Sequence, residues 1–493
     1  MSAIGDVKDI LRGVVATLTG FAGRVIARAA ILVIAGRVYG IEAVGRLGEV
    51  AALSEIIAAI CVFGLNRSLL DMLSFEKQAG RSVENRALEA PALSALIGLG
   101  AGGLLSIIWW QLFPGQWGLV IAMGLVVPAT VIMEVCLTVT KFRRIIRWDV
   151  LTRCLFEPWS FLFFTLLFWW LGWMESGLIL AYIGSVFVSS IAAIIGMGRI
   201  LSWPGLRAAR PTISTWPMIF KTSLPVGLTE IGVMALRRID LVVLALFVGP
   251  EAVGLFYMAQ QIVTVPHKVG GAFQPMLEPV FASLHNQKLP RQIEQKLSDV
   301  CRWIFKLQFI MTIPILVYAD GAMGLFGREF AAGGLILAII LIAELIDGTF
   351  HSAETPLVYA HPKVPPVILF LTLLIEVILI ALLAHIWGVM GAAIGFLITL
   401  TFLNAARVVM VKRLMAIQVI SRDYLIPLAA GLLAALGLTA VRFGLTPNPV
   451  VNGFAIAAAI IIYGWIIFSF GMTKSDRILL RRLRRRKRPI AAG

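Results

Sequence analysis

Fourteen apolar runs, each long enough to cross a lipid bilayer, leave this chain little choice of fold. They lie near residues 14–38, 44–69, 91–112, 117–140, 150–172, 176–199, 218–248, 251–283, 300–320, 330–360, 364–386, 388–411, 424–443 and 450–472. A hydrocarbon core about 30 Å thick needs about 20 helical residues to cross it, and it excludes backbone that leaves its own polar groups unsatisfied. Of the 493 residues, 59% are hydrophobic and only 14% charged, a balance foreign to soluble domains. The chain therefore reads as an all-α polytopic membrane protein. Its first run comes after a short basic stretch (Lys8, Arg12) but is too long for a signal-peptide core. No cleavage site lies beyond it, so it is expected to be retained as a span.

The connections alternate in charge. One side receives Arg67, Lys77, Arg81 and Arg86, then Lys141, Arg143, Arg144, Arg147 and Arg153. It also receives Arg199, Arg207, Arg210 and Lys221, then Lys288, Arg291, Lys296, Arg302 and Lys306. The other side collects only Arg37, Arg46, Arg328 and Arg442. Under the positive-inside rule the basic side is cytoplasmic, both termini lie there, and the number of spans is even. The formal net charge of +16 thus reports topology rather than nucleic-acid binding. Its densest part, Arg481-Arg482-Leu483-Arg484-Arg485-Arg486-Lys487-Arg488, reads as an anchor on anionic headgroups, worth about 1 kcal/mol per cation near the surface. The four cysteines (Cys61, Cys136, Cys154, Cys301) have no paired spacing and carry neither a disulfide framework nor a metal motif.

An internal repeat divides the chain. Arg28 leads, twelve residues on, into Gly40-Ile41-Glu42-Ala43-Val44-Gly45; Arg237 leads at the same distance into Gly249-Pro250-Glu251-Ala252-Val253-Gly254. Gly172-Trp173-Met174-Glu175-Ser176-Gly177 resembles Gly388-Val389-Met390-Gly391-Ala392-Ala393 at a similar offset. Spans one to six are therefore expected to repeat as seven to twelve. The expected organisation is an N-lobe over 1–203, a cytoplasmic linker over 204–217, and a C-lobe over 218–413. Two added spans over 414–473 and a basic tail over 474–493 complete it. Six spans per lobe give both lobes one orientation, related by a pseudo-two-fold axis along the membrane normal, with the substrate site between them. The last two spans have no counterpart in the repeat and form either a lipid-facing groove or an added packing layer.

On these residues the chain resembles the multidrug/oligosaccharidyl-lipid/polysaccharide exporter superfamily, on its branch of bacterial polysaccharide and lipid-linked oligosaccharide flippases. The resemblance runs over essentially the whole length: six-plus-six spans, the glycine-bounded first outer turn of each lobe, and basic cytoplasmic loops. Fourteen spans is also similar to the lipid II flippase subgroup, although no local motif assigns the chain there. The resemblance implies a transporter without enzymatic activity or resident cofactor, seated in the bacterial inner membrane and coupled to protons or sodium. Its implied partners are a polyprenyl-diphosphate-linked oligosaccharide and membrane lipids, with a polysaccharide polymerase and assembly proteins beside them.

Five cations fall well inside the expected spans. Arg24 and Arg28 stand one turn apart on the first; Arg237 and Arg238 lie in the seventh; Lys268 lies in the eighth. A central arginine costs about 2.5–3.5 kcal/mol to insert, and the first span contains no acid. Gathered together, these groups make a cationic vestibule able to grip a pyrophosphate bidentately. The bland reading pairs them with buried acids, among which Asp240 and Glu230 are nearest Arg237 in sequence.

The eighth span also carries a polar stripe of Gln260, Thr264, His267, Gly271, Gln274 and Glu278, spaced by four and three. The stripe either lines the cavity, with Gln260, His267 and Gln274 meeting sugar hydroxyls, or forms a helix–helix seam. Pro266, Pro275 and Pro279 mark places where that helix could bend. In the tenth span Glu344, Asp347, His351 and Glu354 fall within an arc of about 80° at roughly 100° per residue. They read either as a proton or sodium relay or as neutralising partners for arginines in the opposite lobe.

The leading expectation is a flippase for a polyprenyl-diphosphate-linked oligosaccharide, working by alternating access. A cation-coupled multidrug exporter of the same fold predicts an apolar or acidic cavity, which the paired arginines of the first span oppose. A membrane glycosyltransferase or polymerase needs a sizeable catalytic loop and a metal-binding D-x-D motif, and the sequence offers neither on the cytoplasmic side.

Overall fold

The computed structural model describes residues 23–143, 147–201, 203–444, 448–473 and 476–477. Lys8, Arg12, Arg144, the start of the first span and the basic tail lie outside the described residues. Every regular element among the described residues is helical.

Helix α1 (residues 23–34) passes into a π turn at Ala35–Tyr39 and then into α2 (Gly40–Val62). Gly40 makes the break at φ 85°, a left-handed value that suits glycine. Some break is needed, because the 56 helical residues from Gly23 to Gln78 would otherwise run ~84 Å at about 1.5 Å each, far beyond one hydrocarbon core. Phe63 and Gly64, at φ 38° and 85°, end α2. The second span thus stops at Val62, short of the expected residue 69, and α3 (Leu65–Gln78) begins separately. It buries Leu65, Leu69 and Leu73 at helical spacing and turns Arg67, Asp71 and Lys77 outward.

Four long helices come next: α4 (Val83–Leu112), α5 (Trp117–Phe142), α6 (Arg147–Trp170, with a π turn at Thr152–Phe156) and α7 (Gly177–Leu201). The seventh span is split. Helix α8 (Trp216–Leu236) ends at the arginine pair and α9 (Ile239–Ala245) restarts beyond it. Then come α10 (Pro250–Asn286), α11 (Pro290–Val317) and α12 (Gly334–Phe350), a 3-10 turn at His351–Ala353, and α13 (Glu354–Ala360). Helix α14 (Val364–Met415) breaks at Gly388 (φ 58°, ψ −140°), where the repeat placed the turn between spans eleven and twelve. Gly172, its expected counterpart, also has a positive φ, 77°. Helices α15 (Leu425–Gly444) and α16 (Pro449–Ser469) complete the described fold.

Eleven helical segments are long and apolar enough to cross a membrane. Two of them, Gly23–Gln78 and Val364–Met415, hold a glycine break near an expected boundary between spans, and α10, expected as the eighth span, is not among the eleven. The chain divides into two compact units: residues 1–258 with 324–330, and residues 259–323 with 331–493. The lobe boundaries expected from the repeat concern internal symmetry, which a division by packing leaves open.

In the first unit the core runs through Leu69, Leu73, Met123, Val127, Leu137 and Ile179. Here the two copies of the repeated motif meet. A Cβ built on Gly45 would collide with the carbonyl of Pro250, and one on Gly254 with the carbonyl of Ile41. Only glycine permits so close a backbone crossing of α2 and α10. Gly64, in the turn between α2 and α3, and Gly227 of α8 make a second such close approach, closed by a 2.7 Å hydrogen bond from Ser68 Oγ of α3 to Ser223 Oγ.

In the second unit α15 and α16 bury Ala430, Ala434, Leu438, Ala459 and Tyr463 against Phe309, Ile313 and Val317 of α11. The last two spans thus act at least as a packing layer. Large apolar side chains such as Phe454 and Ile461 on α16 remain exposed, as a lipid-facing surface requires.

The segment after α16 is tied back to α11. Trp303 Nε1 donates to Asp476 Oδ1 at 2.7 Å, Thr473 N–H donates to Oδ2 at 3.1 Å, and Arg302 and Lys306 each stand 3.3 Å from this carboxylate. Arg302 and Lys306, counted among the basic residues of one membrane side, are therefore buried. Burial works against ionising Asp476, but the bonds from Trp303 and Thr473 and the charges of Lys306 and Arg302 outweigh it. Its carboxyl is held below the usual range. A depressed folded value means that the stabilisation is present above the unfolded value near 3.9 and is lost as pH falls through the folded one. Asp476→Asn is accordingly expected to loosen residues 470–473 and 476–477 at neutral pH. Hydrogen–deuterium exchange should show faster uptake there, and wild type should reach a similar state only in acid below about pH 4.

Candidate functional site

Two polar clusters lie inside otherwise apolar helices, one in each unit. In the first, α1 places Arg24 and Arg28 half-buried on one face. The first span has no acid of its own, yet one is supplied by α6. Glu157 lies within electrostatic reach of Arg24, Arg153 and Arg28, and of Glu134. The two helices are neighbours: a Cβ on Gly23 would stand 3.8 Å from Trp159 Nε1, and Tyr39 Oη donates to Thr165 O at 2.6 Å. Arg153 is itself held by Glu134 at 2.7 Å and by Asp149 at 3.2 Å. The π turn just before Glu157 adds one residue to the helical turn and re-aims the side chains beyond it, a device common at functional sites.

The seventh-span arginines part ways. Arg238 Nε meets Glu55 Oε2 of α2 at 2.6 Å, whereas Arg237 caps the end of α8 and is exposed. Of the acids weighed for Arg237, Glu230 pairs with Arg67 at 2.7 Å, and Asp240 is fully buried, accepting the N–H of Leu241 at 2.8 Å. Tyr257 on α10 lies within electrostatic reach of Arg28, Arg238 and Glu55. Arginines from both copies of the repeat therefore share one charged neighbourhood in the first unit, with Glu55, Glu134 and Glu157 as its acids.

The second unit holds the other candidates. On α10 Gln260 and Gln274 are half-buried and Lys268 is exposed. Thr264 Oγ1 is turned back onto the carbonyl of Gln260 at 2.9 Å. His267 crosses to α12, its Nδ1 2.6 Å from Glu344 Oε2. Small residues make that approach possible, since a Cβ on Gly270 would stand 3.0 Å from Gly348 O. His267, Glu344 and Asp347 present one donor atom each, all within 4.8 Å of one another. Glu354 sits beyond the 3-10 turn that begins at His351, so the expected continuous helical face is interrupted there.

One cation in this cluster escaped the count of five. Arg407 on α14 is buried; its Nη1 donates to Asp347 Oδ1 at 3.0 Å, and its Nη2 is 2.5 Å from Glu354 Oε2. Asn404 Nδ2 donates to the same Asp347 oxygen at 3.0 Å, and Gln308 Nε2 to Glu344 O at 2.9 Å. Two of the four tenth-span candidates thus share one arginine within their own unit. The available signal was the pair Asn404 and Arg407, three residues apart in an apolar run and facing one way.

Against this geometry, residues 155–285 match a family described as polysaccharide biosynthesis protein. No curated protein matches the chain. Among solved structures, the lipid II flippase MurJ in an inward closed conformation superposes with a TM-score of 0.72 at 14% identity, covering 95% of this chain and 99% of that one. An inward-facing multidrug resistance MATE transporter of the MOP superfamily gives 0.56 at 15% identity, covering 79% of this chain and 98% of that one. A MOP superfamily transporter from Pyrococcus furiosus, for which a reversed polarity of the binding pocket suggests a different function, gives 0.51 at 13% identity, covering 82% and 94%. At these identities the likeness is one of fold.

Proposed function

From the fold of the multidrug/oligosaccharidyl-lipid/polysaccharide exporter superfamily, which this multi-pass membrane protein shares, we propose that it flips a polyprenyl-diphosphate-linked oligosaccharide across the bacterial inner membrane. The observation that supports this reading best is the gathering of Arg24, Arg28 and Arg238 about Tyr257 and three acids. A diphosphate is the anion such guanidinium groups recognise most readily, because each can offer two parallel donors to neighbouring oxygens. The acids hold the arginines in place between cargoes and yield them to a more highly charged partner. The headgroup enters from the cytoplasmic side, engages Arg24, Arg28, Arg237 and Arg238 of the first unit, and leaves on the outer side while the prenyl tail stays in lipid. Gln260 and Gln274 serve the sugar, whereas His267, expected beside them, is turned to Glu344. The family matched over 155–285 and the lipid II flippase fold both support a lipid-linked sugar as cargo.

A cation-coupled multidrug exporter is the second reading, favoured by the acids of the second unit. Arg407 weakens it by occupying Asp347 and Glu354.

The test is translocation of a fluorescent undecaprenyl-diphosphate oligosaccharide in proteoliposomes. Wild type should flip it. Arg28→Ala should lower the rate about 10- to 100-fold, the size expected when bonds to a charged group worth about 1.5–3 kcal/mol are lost. An unchanged rate in Arg28→Ala removes the cationic site. Folded wild type that exports dyes but flips no lipid-linked sugar turns the assignment to the drug exporter.

A further inference from the structure

We infer that His267, Glu344 and Asp347 form a binding site for a divalent cation of the zinc, cobalt or manganese class, joining α10 to α12. The inference is independent of the cargo proposed above. Three observations carry it. The first is geometry: an imidazole nitrogen and two carboxylates from two helices already lie within 4.8 Å of one another. Closing onto one ion needs only modest side-chain movement, to the ~3.3 Å that separates two ligands each about 2.0–2.2 Å from a tetrahedral ion.

The second is charge. Arg407 is shared between Asp347 at 3.0 Å and Glu354 at 2.5 Å, so Glu344, Asp347 and Glu354 together exceed it by two negative charges, beside an imidazole. One divalent cation cancels them, and uncompensated charge at membrane depth is costly. His267 Nδ1 and Glu344 Oε2 stand 2.6 Å apart, in a direct contact that must open to about 3.3 Å to admit an ion. The nitrogen also decides the kind of ion, since sodium, magnesium and calcium prefer oxygen alone, whereas imidazole with carboxylate suits the borderline divalent metals.

The third is support behind the ligands. Asn404 and Arg407 both donate to Asp347 Oδ1 and steady that carboxylate. Gln308, fully buried against Gly348, donates to the backbone carbonyl of Glu344, and its own Oε1 has no hydrogen-bond partner among the described residues. Oriented ligands with hydrogen-bonded partners of their own characterise metal sites more than solvated acids.

The experiment is titration of the full-length, chelator-stripped protein in detergent with Co2+, monitored by its visible absorption, and with Zn2+, monitored by the melting temperature. Wild type should take up one equivalent of Co2+ with the intense bands of a low-coordinate site, and Zn2+ should raise its melting temperature. His267→Ala and Glu344→Gln should each lose both responses, while His361→Ala, in the turn after α13, keeps them. If either site variant fails to fold, the wild-type titrations decide alone. A Co2+ spectrum no different from the free aqua ion, together with a melting temperature indifferent to Zn2+, overturns the proposal. So does uptake that persists in both site variants. Neither readout requires transport, so a failure of the flippase assignment leaves this result standing on its own.

Discussion

Arg407→Ala is expected to destabilise the second unit by about 3–5 kcal/mol, the cost of removing one partner from a buried ion pair. The guanidinium serves Asp347 at 3.0 Å, Glu354 at 2.5 Å and Asn404 Oδ1 at 3.2 Å, and it is almost wholly withdrawn from solvent. Alanine leaves both carboxylates without their guanidinium, with Asn404 still donating to Asp347, and His351 within electrostatic reach of both. They must then take up protons or draw in water, and either route disturbs the packing of α12 against α14. Arg407→Lys restores the charge but reaches only one acid well, because an ammonium lacks the planar fork, so its loss should fall between alanine and wild type. Combining Arg407→Ala with Asp347→Asn and Glu354→Gln removes the stranded charge and should recover much of the stability. Thermal melting of the detergent-solubilised protein measures all of these. A loss below about 1 kcal/mol for Arg407→Ala would show that water already screens the cluster.

The second large effect concerns the contact between the repeated motifs. Gly45→Leu and Gly254→Leu are each expected to cost about 3 kcal/mol or more, because the colliding atoms are backbone carbonyls rather than side-chain tips that could turn aside. The helices α2 and α10 would have to separate, taking the glycine-bounded turns with them. Gly249→Ala is the internal control. It occupies the first glycine of the second motif copy, its φ is not in the left-handed range, and a Cβ there meets nothing within 4 Å. It should melt like wild type. Equal damage at Gly249 and Gly254 would mean that the motif is kept for its turn rather than for the crossing.

The motif also shows how far a repeat can be read. The sequence displays four equivalent glycines, but their roles differ: Gly40 supplies a positive φ, Gly45 and Gly254 a close approach, and Gly249 neither. Identity at matched positions shows that two segments share an origin in structure without saying which atom needs the missing side chain. The arginines teach a similar lesson. Arg24 and Arg28 stand out in sequence because a guanidinium in an apolar run is rare and costly. Their acid, Glu157, is more than a hundred residues away on another helix, and no local spacing connects them. The split between Arg237 and Arg238 is equally silent in sequence, because it depends on which side of the interrupted helix faces Glu55.

What the sequence determined by itself was the environment, an all-helical chain with many segments long and apolar enough to cross a membrane. Transfer of apolar residues to lipid and the siting of basic loops are sums over many residues, so neither depends on how the helices pack. The glycine breaks were readable for a related reason: a chain of apolar residues too long for one crossing must turn somewhere, and Gly388 is where backbone strain is least. The tertiary structure alone decided the charge partners. His267 with Glu344, Arg407 with Asp347 and Glu354, and Arg238 with Glu55 all join different helices. Such pairings act over a few ångströms and depend on the rotation of each helix about its axis, which residue order leaves open until the small residues between helices set the distance.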